Sequence, residues 1–169
     1  SFANFLLALC GPPSEKETRI ARKMLEAKNP ELCREFQNAL SVHRAKTKGL
    51  FRVAVTASFE PINRSLLNGL SLAIKRAKSV RGIKKDLFDK LSRRIIRVKR
   101  KEVPDTPTLV DLFKETSKLY RSPMIVVIDE FGKNLEFMTR HPAKGDLYVL
   151  QALAESGGIY LWVCLHQAF

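Results

Sequence analysis

The chain has 169 residues, of which 45% are hydrophobic and 28% are charged. This length and this balance predict one folded domain with its own core, and they exclude a disordered or low-complexity protein. The formal net charge of +13 favours a polyanionic partner. The longest apolar run, Ile159 to Leu165, is too short to cross a bilayer. Three widely separated cysteines, without a C-x-x-C pair, favour a cytoplasmic location and predict neither a disulfide framework nor a zinc site.

The first third of the chain is predicted to be helical. The stretch SFANFLLALC is apolar on every side, which predicts a helix buried all round, and Gly11-Pro12-Pro13 ends it. Ser14 and Glu17 predict a capping box for a second helix. Asn29-Pro30 ends that helix and begins a third, which we expect to reach about Ala45.

The middle of the chain is predicted to be one strand followed by three helices. FRVAVTASF has the composition and length of a buried strand, and Glu60-Pro61 ends it. Two amphipathic helices follow, and a third comes after the linker from Pro104 to Pro107. The apolar positions that define the first two helices are Ile62, Leu66, Leu67, Leu70, Ala73, Ile74 and Ala77, then Ile83, Leu87, Leu91 and Ile95.

The last third predicts a second and a third strand. The order is the strand MIVVI, a loop, a helix from about Asp146 to Glu155, a Gly157-Gly158 turn and the strand IYLWVCL, with Trp162 in the core. A strand, a helix and a strand in succession indicate a parallel sheet, whose strands are apolar throughout because helices cover both faces. The predicted fold class is therefore α/β, with a three-layer arrangement of helices on a parallel sheet.

Two adjacent carboxylates, Asp129 and Glu130, follow the strand MIVVI directly. In open parallel sheets, ligands bind beyond the carboxyl ends of the strands, so both side chains are candidates for a binding crevice. A hard cation such as Mg²⁺ is held by one or two carboxylates with phosphate and water, and a second carboxylate can orient an attacking water. The alternative is that Asp129 caps the loop and Glu130 is solvated.

Polar residues at two other places in the sequence have positions expected in a phosphate-binding site. His166 and Gln167 follow the last strand, at the position expected for a sensor of a terminal phosphate. Ser1 opens the apolar first helix, as after a phosphate-binding loop. Because the chain begins inside a helix and stops directly after an apolar run, we expect it to be a segment of a longer protein, truncated at both ends of the domain.

The stretch MIVVIDE resembles the Walker B strand of P-loop ATPases of the division that carries an extra strand and a catalytic Glu. SFANFLLALCG is similar to the helix that continues a G-x-x-x-x-G-K-[ST] loop. The longer pattern of IDEFGKNLEF, GDLYVLQALAE and LHQAF resembles large, poorly characterised bacterial ATPases, some linked to DNA processing or to defence against phage. The resemblance covers nearly the whole chain, but only the Walker B element is a sharp motif.

The resemblance implies ATP and Mg²⁺ as cofactors and a role for each matched residue. Asp129 would hold Mg²⁺ through water, Glu130 would orient the lytic water, and His166 or Gln167 would be the sensor. Ser1 would be the Mg²⁺-binding hydroxyl of the loop or the residue after it. The implied domain is a partial P-loop ATPase over residues 1–169, with a possible basic helical insertion at 62–121, and the full-length protein would have protein partners or form a homo-oligomer.

The chain departs from the family pattern in one important respect. No G-x-x-x-x-G-K-[ST] occurs in its 169 residues, since neither Gly49 nor Gly132-Lys133 has the required neighbours. Backbone N–H groups and the lysine of that loop hold the phosphates in such enzymes. We therefore expect this segment alone to bind ATP weakly or not at all.

The positive charge is concentrated between Lys75 and Lys101, where thirteen Lys and Arg residues accompany only Asp86 and Asp89. Such a block attracts nucleic acid through the phosphate backbone. The alternative is that these charges form the outer faces of two amphipathic helices and are compensated elsewhere. No helix-turn-helix, RNA-recognition or zinc-finger signature predicts a sequence-specific contact.

Three functional hypotheses follow. The first is an ATPase domain that moves or switches a DNA-processing or defence assembly, and the second is a non-enzymatic nucleic-acid-binding module on an ATPase-like scaffold. The third is a protein-interaction switch of the signalling-ATPase kind, which the sequence does not separate from the first. Among the remaining polar residues, Lys133 and Arg140 could touch phosphates but are interpreted as a solvated loop. Glu60 could line the same crevice if its strand neighbours MIVVI, but it is interpreted as part of the turn from Ser58 to Pro61 that caps the following helix.

Overall fold

A computed structural model describes residues 1–43, 45–78, 83–100, 103–144 and 146–165. At its centre is a parallel sheet of three strands in the order β1 (Phe51–Thr56), β2 (Met124–Asp129) and β3 (Ile159–Val163). None of the described helices combines the length and the apolar character needed to cross a bilayer. These helices are α1 Phe2–Leu9, α2 Lys16–Lys28, α3 Pro30–Val42, α4 Ile62–Ala77, α5 Lys85–Arg100, α6 Thr106–Tyr120, α7 Gly132–Arg140 and α8 Tyr148–Ala154, with a 3-10 turn at Pro142–Lys144.

The middle strand, β2, forms the centre of the core. Its residues from Met124 to Ile128 are all buried, because β2 has a strand on each side and helices above and below. Successive side chains of a strand point to opposite faces. Val126 and Ile128 therefore belong to the larger core cluster, whereas Ile125 and Val127 belong to the smaller cluster on the other face. The predicted α/β class, with a parallel sheet between helices, is confirmed.

The larger core lies between the sheet and helices α4, α6 and α8. Helix α4 approaches β1 closely at Gly69, where an added Cβ would lie 2.6 Å from Val55 Cγ2 and 2.9 Å from the Ala54 carbonyl oxygen. Helix α5 packs on α4 and α6. It therefore forms an outer layer, separated from the strands by these two helices.

The smaller core lies under α1 and α3 on the opposite face. Gly49 allows the chain to enter β1 beside the end of α1, since its φ is +68° and a Cβ would lie 2.5 Å from the Cys10 carbonyl oxygen. The same carbonyl accepts a hydrogen bond from the Leu50 N–H at 2.8 Å. Arg22 stabilises this helix end by donating to the Leu9 and Gly11 carbonyls at 3.3 and 2.9 Å.

Two predictions of burial are wrong. Helix α1 is not buried all round, because Phe2 is 57% exposed, and Trp162 is 46% exposed instead of lying in the core. The two rings are 5.6 Å apart and cover each other in part. Trp162 belongs to β3, which is an edge strand within the described residues, and Phe2 of α1 contacts it there.

Several element boundaries also differ from the predictions. The segment between Asp129 and Asp146, predicted as a loop, contains helix α7. The capping box of α2 is not formed, since the N-cap is Glu15 and makes no side-chain cap bond. Asn29 does cap α3, because its Oδ1 accepts from the Leu32 N–H at 3.0 Å, although that helix ends at Val42, before Ala45.

Candidate functional site at the carboxyl edge of the sheet

The carboxyl ends of the three strands meet in a continuous backbone network. The Ala57 N–H, after β1, donates to the Asp129 carbonyl at 2.9 Å. On the other side, the Cys164 N–H donates to the Ile128 carbonyl at 2.8 Å, and the Phe131 N–H donates to the Cys164 carbonyl at 3.1 Å. Backbone hydrogen bonds therefore hold the chain on both sides of Glu130.

Asp129 is the last residue of β2 and pairs in register with Thr56 of β1. By the alternation of the strand, its side chain lies on the face of Ile125 and Val127, which is the face covered by α1. Its Oδ1 accepts a hydrogen bond from the N–H of Glu130 at 3.1 Å. The carboxylate thus lies at the end of a buried strand and contacts the first turn of the chain beyond it.

Glu130 has a left-handed backbone, with φ of 57°. Among the described residues, Arg121 is the other non-glycine residue with positive φ, and it is the C-cap of α6, where this conformation is common. Glu130 instead joins β2 to α7, and a left-handed conformation costs a non-glycine residue about 1–2 kcal/mol. Its Oε2 accepts from the ammonium group of Lys133, and both side chains are partly exposed. Lys133 thus has a partner within the protein. It lies in helix α7 and not in the predicted loop.

The opening helix begins at this same edge of the sheet. The Phe2 ring contacts Trp162, which pairs in register with Val127 in the carboxyl half of β2. The other end of the helix lies before β1, where Cys10 accepts from Leu50. Helix α1 therefore runs antiparallel to the strands, and its amino terminus, which favours anions, lies at the edge where Asp129 and Glu130 leave the sheet.

Ser1 is the N-cap of α1, and its Oγ accepts a hydrogen bond from the Asn4 N–H at 3.4 Å. This places the Ser1 hydroxyl at the amino end of the helix. His166 and Gln167, the predicted sensor residues, lie outside the residues that the structure describes. Three of the five predicted site residues are thus located, and all three belong to the carboxyl edge.

Asn134, in α7, connects the two loops that follow β1 and β2. It is completely buried, and its Nδ2 donates to the carbonyls of Ser58 and Glu60 at 3.1 and 2.7 Å and to Ser65 Oγ at 3.1 Å. Ser65 in turn donates to Glu60 Oε1 at 2.8 Å. Glu60 is therefore bonded to a side chain of α4 and does not cap that helix, whose N-cap is Pro61. Nothing in the sequence pattern marked Asn134.

Aromatic rings hold the outer part of the same two loops together. Phe137 of α7 stacks on His141 with 4.5 Å between ring centroids, and Phe59 contacts the edge of Phe137 at 5.2 Å. The guanidinium of Arg140 lies 5.5 Å from the centre of the Phe59 ring and forms an ion pair with Glu136 at 2.6 Å. Arg140 is thus on a helix, contrary to the predicted loop, and it has partners within the protein.

A divalent ion at this edge would need ligands beyond the protein. Within the described part of the chain, no group of three or more His, Cys, Asp and Glu side chains could hold a metal by itself. The carboxylate of Asp129 suits a hard cation, whose other ligands would be phosphate oxygens and water. A hard cation that brings its own oxygen ligands, such as Mg²⁺, would fit this donor set.

A cavity of about 750 Å³ lies elsewhere on the molecule, between the amino ends of α4 and α6 and the segment before α8. Neither Asp129 nor Glu130 lines it. Its wall carries Asn63, whose Nδ2 donates to the Pro104 carbonyl at 2.9 Å, and charged side chains of both signs.

Comparisons of this chain with protein-family models, with curated proteins and with solved structures found no match. The chemistry of the carboxyl edge therefore has to follow from its own residues.

Proposed function

We propose that this chain is the part of an ATP-hydrolysing P-loop domain that follows the phosphate-binding loop. In this proposal the sheet is the core of a P-loop NTPase fold, β2 is its Walker B strand, and a further strand carrying the loop pairs with β3. The exposed aromatic side chains along β3 support such an addition, because an unpaired, apolar edge strand is otherwise exposed to aggregation.

The observation that carries the proposal is the conformation of Glu130. The chain places a charged residue in a left-handed backbone, between two hydrogen-bonded neighbours, at the end of its most buried strand. A glycine would adopt this conformation without steric cost. Residues in sparsely populated backbone conformations persist only where the surrounding structure fixes them, and they are concentrated at functional sites.

The direction of α1 gives independent support. Its amino terminus and Asp129 lie at the same edge and on the same face of the sheet. A phosphate group at the start of a helix is stabilised by backbone N–H groups and by the helix dipole. A nucleotide bound there would have its terminal phosphates beside the two carboxylates.

Each residue at the edge then has a distinct task. Asp129, held by the Glu130 N–H, would bind a water of the Mg²⁺ shell, and Mg²⁺ would neutralise charge on the phosphates. Glu130 would accept a hydrogen bond from the attacking water and orient it in line with the terminal phosphate. Lys133, which pairs with Glu130, would set the direction of that carboxylate in the absence of substrate.

The test is Glu130→Gln in the full-length protein. Glutamine keeps the shape and the backbone strain but is a much weaker proton acceptor, so we expect ATP hydrolysis to fall about 10²–10⁴-fold while ATP binding is retained. Steady-state hydrolysis measures the first quantity, and titration with a fluorescent nucleotide measures the second.

Glu136→Gln is the matched control. Glu136 is also an exposed, ion-paired glutamate, but it lies in α7, away from the strand end. Its replacement should leave hydrolysis within about twofold of the wild type, because a solvated glutamate has no part in the chemistry. Equal hydrolysis by the wild type and Glu130→Gln would refute the proposed role of Glu130.

A further inference from the structure

Helix α5 is attached firmly to the rest of the molecule. Phe88, Leu91 and Ile95 are each 1% exposed and belong to the larger core, where α5 packs on α4 and α6. These three residues, spaced by three and four, form one stripe of the helix. The opposite stripe therefore has a fixed position on the surface, on the outermost layer of this side of the protein.

That opposite stripe is basic along its length. Lys90, Arg93, Arg97 and Arg100 follow each other at intervals of three, four and three residues, and all four are exposed. At 1.5 Å per residue, the row is about 15 Å long. Nothing apolar interrupts it, since the exposed Ile96 lies on the flank of the helix.

Of the acidic residues nearby, Asp89 and Glu115 are paired with other cations, whereas the exposed Asp86 lies one helical turn before Lys90 on the same stripe. Asp89 forms an ion pair with Lys78 at 2.5 Å, and Glu115 of α6 forms one with Arg94 at 2.5 Å. The bond from Lys78 is the main reason why the pKa of Asp89 is lowered. Among the described residues, none of the four cations in the row forms an ion pair. Arg93 also interacts electrostatically with Asp89, but the four cations outnumber the two acidic residues of α5, Asp86 and Asp89, so the row keeps a net positive charge.

We infer that this row, Lys90, Arg93, Arg97 and Arg100, is a binding surface for the phosphate backbone of a double-stranded nucleic acid. Phosphates of one strand succeed each other at 3.4 Å along a duplex axis, so a 15 Å row lies beside about four of them. The interactions are electrostatic and carry no sequence information. The inference goes beyond the proposed ATP hydrolysis and does not depend on it.

Two other polyanionic partners fit the surface less well. A helix that binds a membrane surface inserts its apolar face, but the apolar face of α5 is already buried in the core. Single strands bind through bases stacked on aromatic side chains, and the exposed face of α5 has none, because Phe88 is buried. The double-stranded backbone needs only a rigid array of cations, which α5 provides.

The test is a variant with Lys90→Gln, Arg93→Gln, Arg97→Gln and Arg100→Gln, titrated with a short mixed-sequence DNA duplex in the absence of nucleotide. We expect binding to weaken about tenfold or more. The slope of log K against log salt should also become less negative by about 3 to 4, roughly 0.9 for each phosphate that the variant no longer neutralises. Circular dichroism verifies that the variant is folded.

The matched control removes four cations from the opposite side of the protein. Arg19, Lys23 and Lys28 of α2 and Arg34 of α3 are exposed, and their replacement by Gln changes the net charge by the same amount. This control should keep wild-type affinity within about threefold and nearly the same salt slope. Equal losses in the two variants would overturn the inference, because binding would then follow the total charge of +13 alone.

Two further titrations separate the partners. Phosphatidylcholine vesicles containing phosphatidylserine, and a single strand of the same length, should each bind more weakly than the duplex. If the row variant lost vesicle binding but kept duplex binding, the surface would be a membrane-binding face and the inference would be wrong. Glu130→Gln should bind the duplex as the wild type does, because these titrations contain no nucleotide. Duplex binding therefore tests the α5 row separately from the ATPase proposal.

Discussion

The carboxyl edge of the sheet and the outer face of α5 are both charged, but they are built in opposite ways. At the edge, two carboxylates lie on a backbone whose conformation is unfavourable for one of them and is held by hydrogen bonds from neighbouring strands. On α5, four cations occupy ordinary positions of a regular helix. The function proposed for the edge depends on the exact position of single side chains, whereas the function inferred for the α5 row depends on several equivalent cations.

This difference predicts how each region should respond to amino-acid substitution. In the proposed site, each carboxylate has a task that no neighbour can perform, so a single substitution at the edge should have a large effect on ATP hydrolysis. Removing one cation from the row leaves three others, and we expect the loss of affinity per residue to be small and nearly additive. The comparison therefore predicts an all-or-none response in one region and a graded response in the other.

The largest effect on stability is expected where α5 meets the core. Phe88→Ala removes a buried ring and leaves a cavity, which should lower the free energy of unfolding by about 3–5 kcal/mol. Ile96→Ala, on the same helix but 46% exposed, should cost less than about 0.5 kcal/mol. Urea unfolding followed by the fluorescence of the single tryptophan, Trp162, measures both values.

If Phe88→Ala and Ile96→Ala lowered the free energy of unfolding by similar amounts, the contrast between the two regions would not hold. Such a result would mean that α5 is not fixed to the scaffold by its apolar stripe. The row would then lack the rigid position on which its match to a phosphate backbone depends.

Much of the fold could be predicted from local patterns. The stretch MIVVI is strand-like and apolar throughout because β2 is covered on all sides, and Leu91 and Ile95 carry the helical spacing that buries one side of α5. The position of the adjacent carboxylates at the carboxyl edge of the sheet could be predicted because they directly follow that strand. These signals lie in contiguous or evenly spaced residues, so a single sequence contains them.

The remaining features depend on contacts between distant residues. The exposure of Phe2 and Trp162 follows from the position of β3 at the edge of the described sheet, which no local pattern reports. Asn134 is buried because it bonds to Ser58 and Glu60, more than seventy residues earlier. Helix α7 was a missed local signal, since Leu135 and Met138 have helical spacing and no proline interrupts them.

The smallest expected effect tests the strain at the edge directly. Glu130→Gly and Glu130→Gln both remove the ion pair with Lys133, but only glycine relieves the left-handed backbone. The steric relief of about 1–2 kcal/mol exceeds the entropic cost of glycine, so Glu130→Gly should be more stable than Glu130→Gln by about 0.5–1 kcal/mol.

Both variants should be inactive in ATP hydrolysis. A more stable, fully active Glu130→Gly protein would show that the strain has no functional purpose. A less stable one would show that the left-handed conformation carries no steric cost for glutamate. Thermal and urea unfolding, each paired with a hydrolysis assay, distinguish these outcomes.

The most direct measurement of the central claim is a paramagnetic one on the full-length protein. Mn²⁺ added with a slowly hydrolysed ATP analogue should broaden the backbone amide signals of Ala57, Glu130 and Cys164, which surround the strand ends, far more than those of Arg93 and Arg97 in α5. Broadening centred on α5, or spread evenly over the protein, would contradict the assignment of the carboxyl edge as the nucleotide and metal site.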